Sequence, residues 1–241
     1  MKSQDSSELS SIAAFRIVGY GLIIFAIVDW LNILFPVRWL DVAWTFNSIG
    51  AIVERVAVPL LALPLVFFGE TDLRQRWEKA IVKLLSWGSL VASVVFLLMI
   101  PLLLMLTLRL NVQNAAQLNN QVNSQISQLQ QLEQRVGSAS SQDLNALLQN
   151  LNRQGNPPAN VNTPTDLKNQ LLTEVEQVRN NVKSQAETAK SNQSTALYKS
   201  AIKWGIGAFV SSVLFFSLWR FSSWSRRKRR TGLRATANVG G

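Results

Sequence analysis

Apolar positions in this chain fall in long blocks rather than in the alternation of a soluble domain. The first block, about residues 12–35, reads IAAFRIVGYGLIIFAIVDWLNILF. At about 1.5 Å per helical residue it is long enough to cross about 30 Å of hydrocarbon. The second, about residues 49–68, ends VPLLALPLVFF and carries Glu54, Arg55, Pro59 and Pro64. Each proline removes a backbone donor and tends to kink a helix. Starting the span after Arg55 leaves too few residues to cross. Either the two charges enter the membrane or the segment is re-entrant, and the first reading is preferred. The third block, about residues 81–108, is uncharged from Leu84 to Leu108, with a bend expected at Pro101. The fourth, about residues 201–221, has Lys203 and Arg220 near its ends, where long side chains snorkel to headgroups. Its Gly205, Gly207, Ala208, Ser211 and Ser212 form a small-residue patch, suited to close helix contact or simply facing lipid.

Between the third and fourth blocks, residues 109–200 are polar and rich in Asn and Gln. Leu118, Val122, Ile126 (or Gln125), Leu129, Leu132 and Val136 recur at three- and four-residue steps, a thin helical stripe. A second stretch places Leu144, Leu147, Leu148 and Leu151 on one face, with Ser141 a candidate cap. Gly155, Pro157, Pro158 and Pro164 then break the chain near 155–165, and Thr165 or Asp166 can cap the next helix. Leu167, Leu171, Val175 (or Glu174), Val178 and Val182 keep a near-heptad stripe leading into the fourth block. The expected fold is an all-α membrane protein. Four transmembrane helices carry an antiparallel coiled-coil hairpin between the third and fourth. The domains are then a three-helix membrane part (1–108), the hairpin (109–200), a last helix (201–221) and a basic tail (222–241).

Flanking residues set the orientation. Arg226, Arg227, Lys228, Arg229 and Arg230 come after the fourth block, which places that end in the cytoplasm by the positive-inside rule or marks anionic-lipid contact. Four crossings then put the N-terminus inside as well and the hairpin in the periplasm or lumen. The start is not basic and no small-residue cleavage site comes after the first block, so a retained helix is favoured over a signal peptide. Trp39 and Trp44 lie in VRWLDVAWTF, either a short surface helix or an ordinary loop.

Composition narrows the chemistry. The 241 residues hold no Cys and no His, which excludes disulfides, thiolate chemistry, Cys/His zinc sites and His-based triads. Carboxylates can still bind hard cations or act as acids and bases. No nucleophile or metal constellation is visible, so the expectation is a non-enzymatic protein without cofactor or metal. The net charge of +10 sits beside apolar segments, and no nucleic-acid module accompanies it. The expected partners are membrane lipids and a membrane or extracytoplasmic protein, or a second copy, but not nucleic acid. Charges inside a bilayer usually face protein or water. Asp29 and Arg55 lie at similar depth on sequential helices, which predicts an ion pair, with Glu54 the competing partner for Arg55 or a second partner for nearby polar groups. Arg16 sits one turn into the first block and can snorkel inward.

IVERVAVPLLALPLVFFGE (Ile52 to Glu70), a charged loop, an apolar helix with IPLLLMLTLRL and a Gln-rich region together resemble the HpsJ-like membrane proteins of cyanobacteria. Glu54, Arg55, Pro59, Leu60 and Leu61 carry the resemblance in residues; the layout covers most of the chain. It implies a plasma or thylakoid membrane protein linked to exopolysaccharide export or surface-protein processing, and supplies no catalytic residue. A scaffold is the first functional reading. An accessory subunit or assembly factor of a photosynthetic complex, or a transporter or sensor subunit, are the alternatives.

Overall fold

A computed structural model describes residues 2–68, 76–153 and 163–226, with side chains from residue 11 onward in those ranges except at 76, 151 and 152. It runs α1 (Lys2–Leu34), α2 (Val42–Glu54), α3 (Ala57–Phe67), α4 (Arg76–Ser138), α5 (Ser141–Arg153) and α6 (Pro164–Phe221), then a 3₁₀ turn, Ser222–Arg226. Among the described residues all regular structure is helical. Three stretches are long and apolar enough to cross a membrane, within Ser11–Leu34, Trp77–Ser138 and Pro164–Arg226. Helices α2 and α3 make a fourth if they count as one span bent by 41°. The chain is thus compatible with an integral membrane protein.

The second apolar block starts earlier than the sequence predicts and is interrupted inside, while its end at Phe67 agrees. Asp41 caps α2 by accepting hydrogen bonds from the Ala43 and Trp44 amides at 2.9 and 3.2 Å. VRWLDVAWTF is therefore not a separate surface helix: its first half is a connecting loop and its second half opens α2. The break between α2 and α3 falls at Arg55 and Val56. Pro59 explains the place. Its ring opposes the carbonyl four residues back, at Arg55, and it has no N–H to give that carbonyl. The Val58 amide reaches the Arg55 oxygen instead, at 3.3 Å. Pro64 and Pro101 lie inside α3 and α4, which continue through them.

Contacts divide the chain into two compact units, Met1–Thr107 with Lys199–Gly241, and Leu108–Tyr198. In the first, α1 and α3 run antiparallel. A Cβ on Gly19 would sit 2.9 Å from the Val66 amide nitrogen, so only glycine admits this approach. Arg16 closes the end of this pair where α1 begins to pack on α3. It is 8 % exposed, donates to the Phe68 carbonyl at 3.1 Å and lies 4.0 Å from Glu78. It therefore does not simply snorkel to headgroups: it satisfies a carbonyl at the end of α3 and meets a carboxylate of α4. Helices α4 and α6 meet through buried serines. Ser93 and Ser212 each donate a hydroxyl to the other's backbone carbonyl at 2.9 Å. The Ser86 and Ser222 hydroxyls are 2.7 Å apart. Phe96 and Phe215 stack beside them, with centroids 5.5 Å apart. In lipid there is little hydrophobic drive between helices, so small residues and hydrogen bonds carry the association.

The second unit folds under the rules of water. Its α5 starts at a reciprocal cap: the Asp143 amide donates to Ser140 Oγ at 3.2 Å, and Ser140 donates its hydroxyl to Asp143 Oδ2 at 2.7 Å. Thr163 and Asp166 repeat the motif at α6, with Pro164 as the first helical residue. The caps are thus Ser140 and Thr163, not Ser141, Thr165 or Asp166, because the capping residue stands outside the helix with its partner three positions on. Leu144 and Leu167 are buried at 6 and 2 % exposure, the well-packed points of this unit. The expected tip at 155–165 lies mostly outside the described residues.

The serine contacts predict a measurable coupling. The Ser93 and Ser212 hydroxyls also lie 3.3 Å apart, so a double-mutant cycle of Ser93→Ala and Ser212→Ala, read by thermal unfolding in detergent, should give an interaction energy of about 0.6 kcal/mol, the scale of intramembrane hydrogen bonds. Additive losses would show that the two hydroxyls do not depend on each other.

Candidate functional site

The interruption between α2 and α3 is where the charges gather. Glu54 is the last residue of α2 and Arg55 its C-cap. Successive helical residues point about 100° apart, so the two side chains leave toward different neighbours. Arg55 Nη1 lies 3.0 Å from Asp29 Oδ1 on α1. Glu54 Oε1 accepts from Lys203 Nζ at 2.7 Å and from the Trp204 indole N–H at 3.0 Å, both on α6. The structure brings Asp29 and Arg55 together and gives Glu54 the second of its two expected roles, that of a partner for nearby polar groups. It does not compete for Arg55. It binds a lysine and a tryptophan that the sequence pattern marks only as a snorkelling residue and an interface residue.

Packing holds this geometry. Trp204 lies against Phe46 with centroids 4.9 Å apart and occupies the space over Gly50, where any Cβ would overlap its ring. Gly207 meets Val53 as closely. The patch at 205–212 therefore does not simply face lipid: Gly207 receives α2, and Ala208, Ser211 and Ser212 are buried. Lys203 adds a cation beside the last residue of α2, the end that carries partial negative charge. Along α1, Arg16 and Asp29 are about 20 Å apart by helical rise, so one polar cluster sits toward each end of the α1–α3 pair.

Chemically the arrangement is two neutral pairs. Each acid has its base, and each pair joins the broken helix to another element. Among the described residues no group of three or more acids is placed to hold a metal ion. An unpaired charge at a helix centre in lipid costs about 2.5–3.5 kcal/mol on insertion scales, and pairing is the simplest way to lower that cost.

The stripe residues of the second unit divide. Leu118, Val122, Leu129, Val136, Leu171 and Val182 are half-buried and Leu167 is buried. Leu132 and Val178 are exposed, at 48 and 40 %. Their seam places go to the next residues, Glu133 and Arg179, which form an ion pair between α4 and α6. Lys168 adds a hydrogen bond to the Gly137 carbonyl at 2.6 Å. Of the basic tail, Arg226 folds back. Its guanidinium stacks 4.2 Å over the Trp219 ring and donates to the Trp219 carbonyl at 2.8 Å. Arg227, Lys228, Arg229 and Arg230 lie outside the described residues.

Helices of this length, interrupted at an Arg-Pro pairing and continued by a polar helical segment, match one family over most of the chain. The HpsJ-like protein family matches residues 10–223, and the chain belongs to it. No curated protein and no solved structure matches.

The pairs predict specific rescue. Asp29→Ala should lower folded yield and detergent stability, on the order of 2 kcal/mol for the orphaned Arg55. Asp29→Ala with Arg55→Ala should recover part of that loss in the same unfolding assay. A double variant no better than the singles would exclude the pair. Lys203→Met should be rescued by Glu54→Gln and not by Asp29→Asn.

Proposed function

We propose that this protein is a non-enzymatic membrane scaffold or accessory subunit, whose four-span membrane part anchors an antiparallel coiled-coil hairpin that engages a partner. The observation that carries the reading is the composition of the seam in Leu108–Tyr198. A thin stripe with an ion pair at Glu133 and Arg179 holds two helices together weakly, while Leu132, Leu147 and Val178 are left exposed. Such a surface gains stability from a partner or from a second copy. Membership of the HpsJ-like family is compatible with a non-enzymatic role and, through the resemblance, with cyanobacterial exopolysaccharide export at the plasma or thylakoid membrane. The basic residues after α6 support cytoplasmic termini, with the hairpin on the periplasmic or lumenal side.

A second reading has one observation behind it. Discontinuous helices with charges at the break occur in transporters, and Glu54 and Arg55 stand at such a break. The two completed ion pairs favour an anchoring role over a pathway. If Glu54→Gln abolishes a solute or proton flux in proteoliposomes while leaving folding intact, the transporter reading takes over.

The absence of cysteine makes sidedness direct to test. Single-cysteine variants Asn150→Cys and Lys228→Cys should label with a membrane-impermeant maleimide from opposite sides of intact cells. Labelling from one common side would overturn the orientation. For the partner surface, Leu132→Asp with Val178→Asp should reduce co-purification from native membranes at least several-fold without changing membrane insertion. Unchanged recovery of every co-purifying protein, with a strict monomer by crosslinking, would remove the scaffold role.

A further inference from the structure

Within the first unit, α1, α2 and α4 leave a groove of about 570 Å³ between them, in the range of about 300–1,000 Å³ typical of ligand sites. Its wall on α4 runs from Gly88 to Leu102, a length of about 21 Å by helical rise. A groove of that length accommodates an extended hydrocarbon chain laid along α4. The lining is almost wholly apolar, and Val91, Val95, Leu98 and Leu102, which lie along it, are also exposed. The groove is therefore continuous with the surface that meets lipid.

Two details single it out from ordinary surface relief. The floor is open at Gly88: a Cβ there would meet nothing within 4 Å. Gly88, Ala92 and Trp30 also line a second cavity of about 180 Å³, so the two cavities share a wall there. The rim is furnished for a headgroup. Trp39 and Trp44 line it, and indoles favour the headgroup level. Arg38 stands next to Trp39 in the connection between α1 and α2, exposed and without an ion pair among the described residues.

We propose that this groove is a binding site for one anionic phospholipid, with an acyl chain along α4 from Leu102 toward Gly88 and its phosphate beside Arg38. Close packing of the chain against the apolar lining supplies contact, and the arginine supplies preference for negative charge.

Native mass spectrometry of the full chain, purified in detergent and supplied with phosphatidylglycerol or phosphatidylcholine, tests this. The wild type should retain one phosphatidylglycerol per chain under conditions that strip phosphatidylcholine. Gly88→Leu fills the floor without a clash and removes a helical glycine, so it should fold at least as well while losing retained lipid about tenfold. Gly205→Leu is the matched control, since a Cβ there also meets nothing within 4 Å; it should retain lipid as the wild type does. Arg38→Gln should erase the preference between the two lipids. Equal retention by Gly88→Leu and wild type would overturn the site, as would equal loss in Gly205→Leu. A preference unchanged in Arg38→Gln would overturn the placement of the headgroup. If Gly88→Leu instead abolishes a dimer and no lipid is retained by the wild type, the groove belongs to a second copy.

Discussion

The constraint on which the membrane part depends is that hydrocarbon offers no partner to a charge or a free backbone group. Pro59 opens the helical ladder at Arg55, and the opening falls where the sequence also places Glu54 and Arg55. A soluble protein would leave such a break to water. Here the two side chains are committed instead to Asp29 on α1 and to Lys203 with Trp204 on α6. The break therefore fixes which helices neighbour α2 and α3. Gly50 and Gly207 are consequences of that commitment: the ion pair is reached only if α2 and α6 approach closely enough for Trp204 to lie over a residue with no side chain.

The same logic accounts for the other end of the α1–α3 pair. Helix α3 stops at Phe67, and its terminal carbonyls need donors. Arg16 gives one to Phe68 and turns the rest of its charge toward Glu78. Serines do the corresponding work between α4 and α6, where Ser93 and Ser212 exchange hydroxyls for carbonyls. Arg16, Asp29, Glu54, Ser93 and Ser212 thus each join two elements, whereas Ser89, Thr107 and Ser211 donate to carbonyls of their own helix. In Leu108–Tyr198 water supplies partners freely. The organising devices there are caps, at Ser140 and Thr163, and a few buried leucines.

Blocks of hydrophobicity, the proline-rich second segment and the equal depth of Asp29 and Arg55 are legible in the sequence because each depends on distance along the chain. The partner of Glu54 is not. Lys203 is separated from it by 149 positions, and depth alone does not say which side of a helix faces which neighbour. The serine contacts escape for a related reason. Ser86, Ser89 and Ser93 share one face by their spacing, a signal as clear as the patch at 205–212, but serines within an uncharged run read only as tolerated. The start of α2 is hidden because Asp41 and the two tryptophans suggest an interface rather than a capped helix.

Leu132 and Val178 show how an apolar stripe misleads when charge competes for the seam. From Leu118 to Val136 the half-buried positions on α4 are 118, 122, 126, 129, 133 and 136, steps of four, four, three, four and three. Leucine at 132 fits a count of apolar residues but stands one residue, about 100°, away from that phase. On α6 the corresponding seam runs 171, 175, 179 and 182, and Val178 misses it by the same step. Glu133 and Arg179 occupy the vacated places and meet each other. A seam that spends a position on an ion pair gives up apolar burial in return for a fixed register, since a shift of one helix would separate the charges and move them against apolar neighbours. The two displaced side chains are left exposed beside that pair.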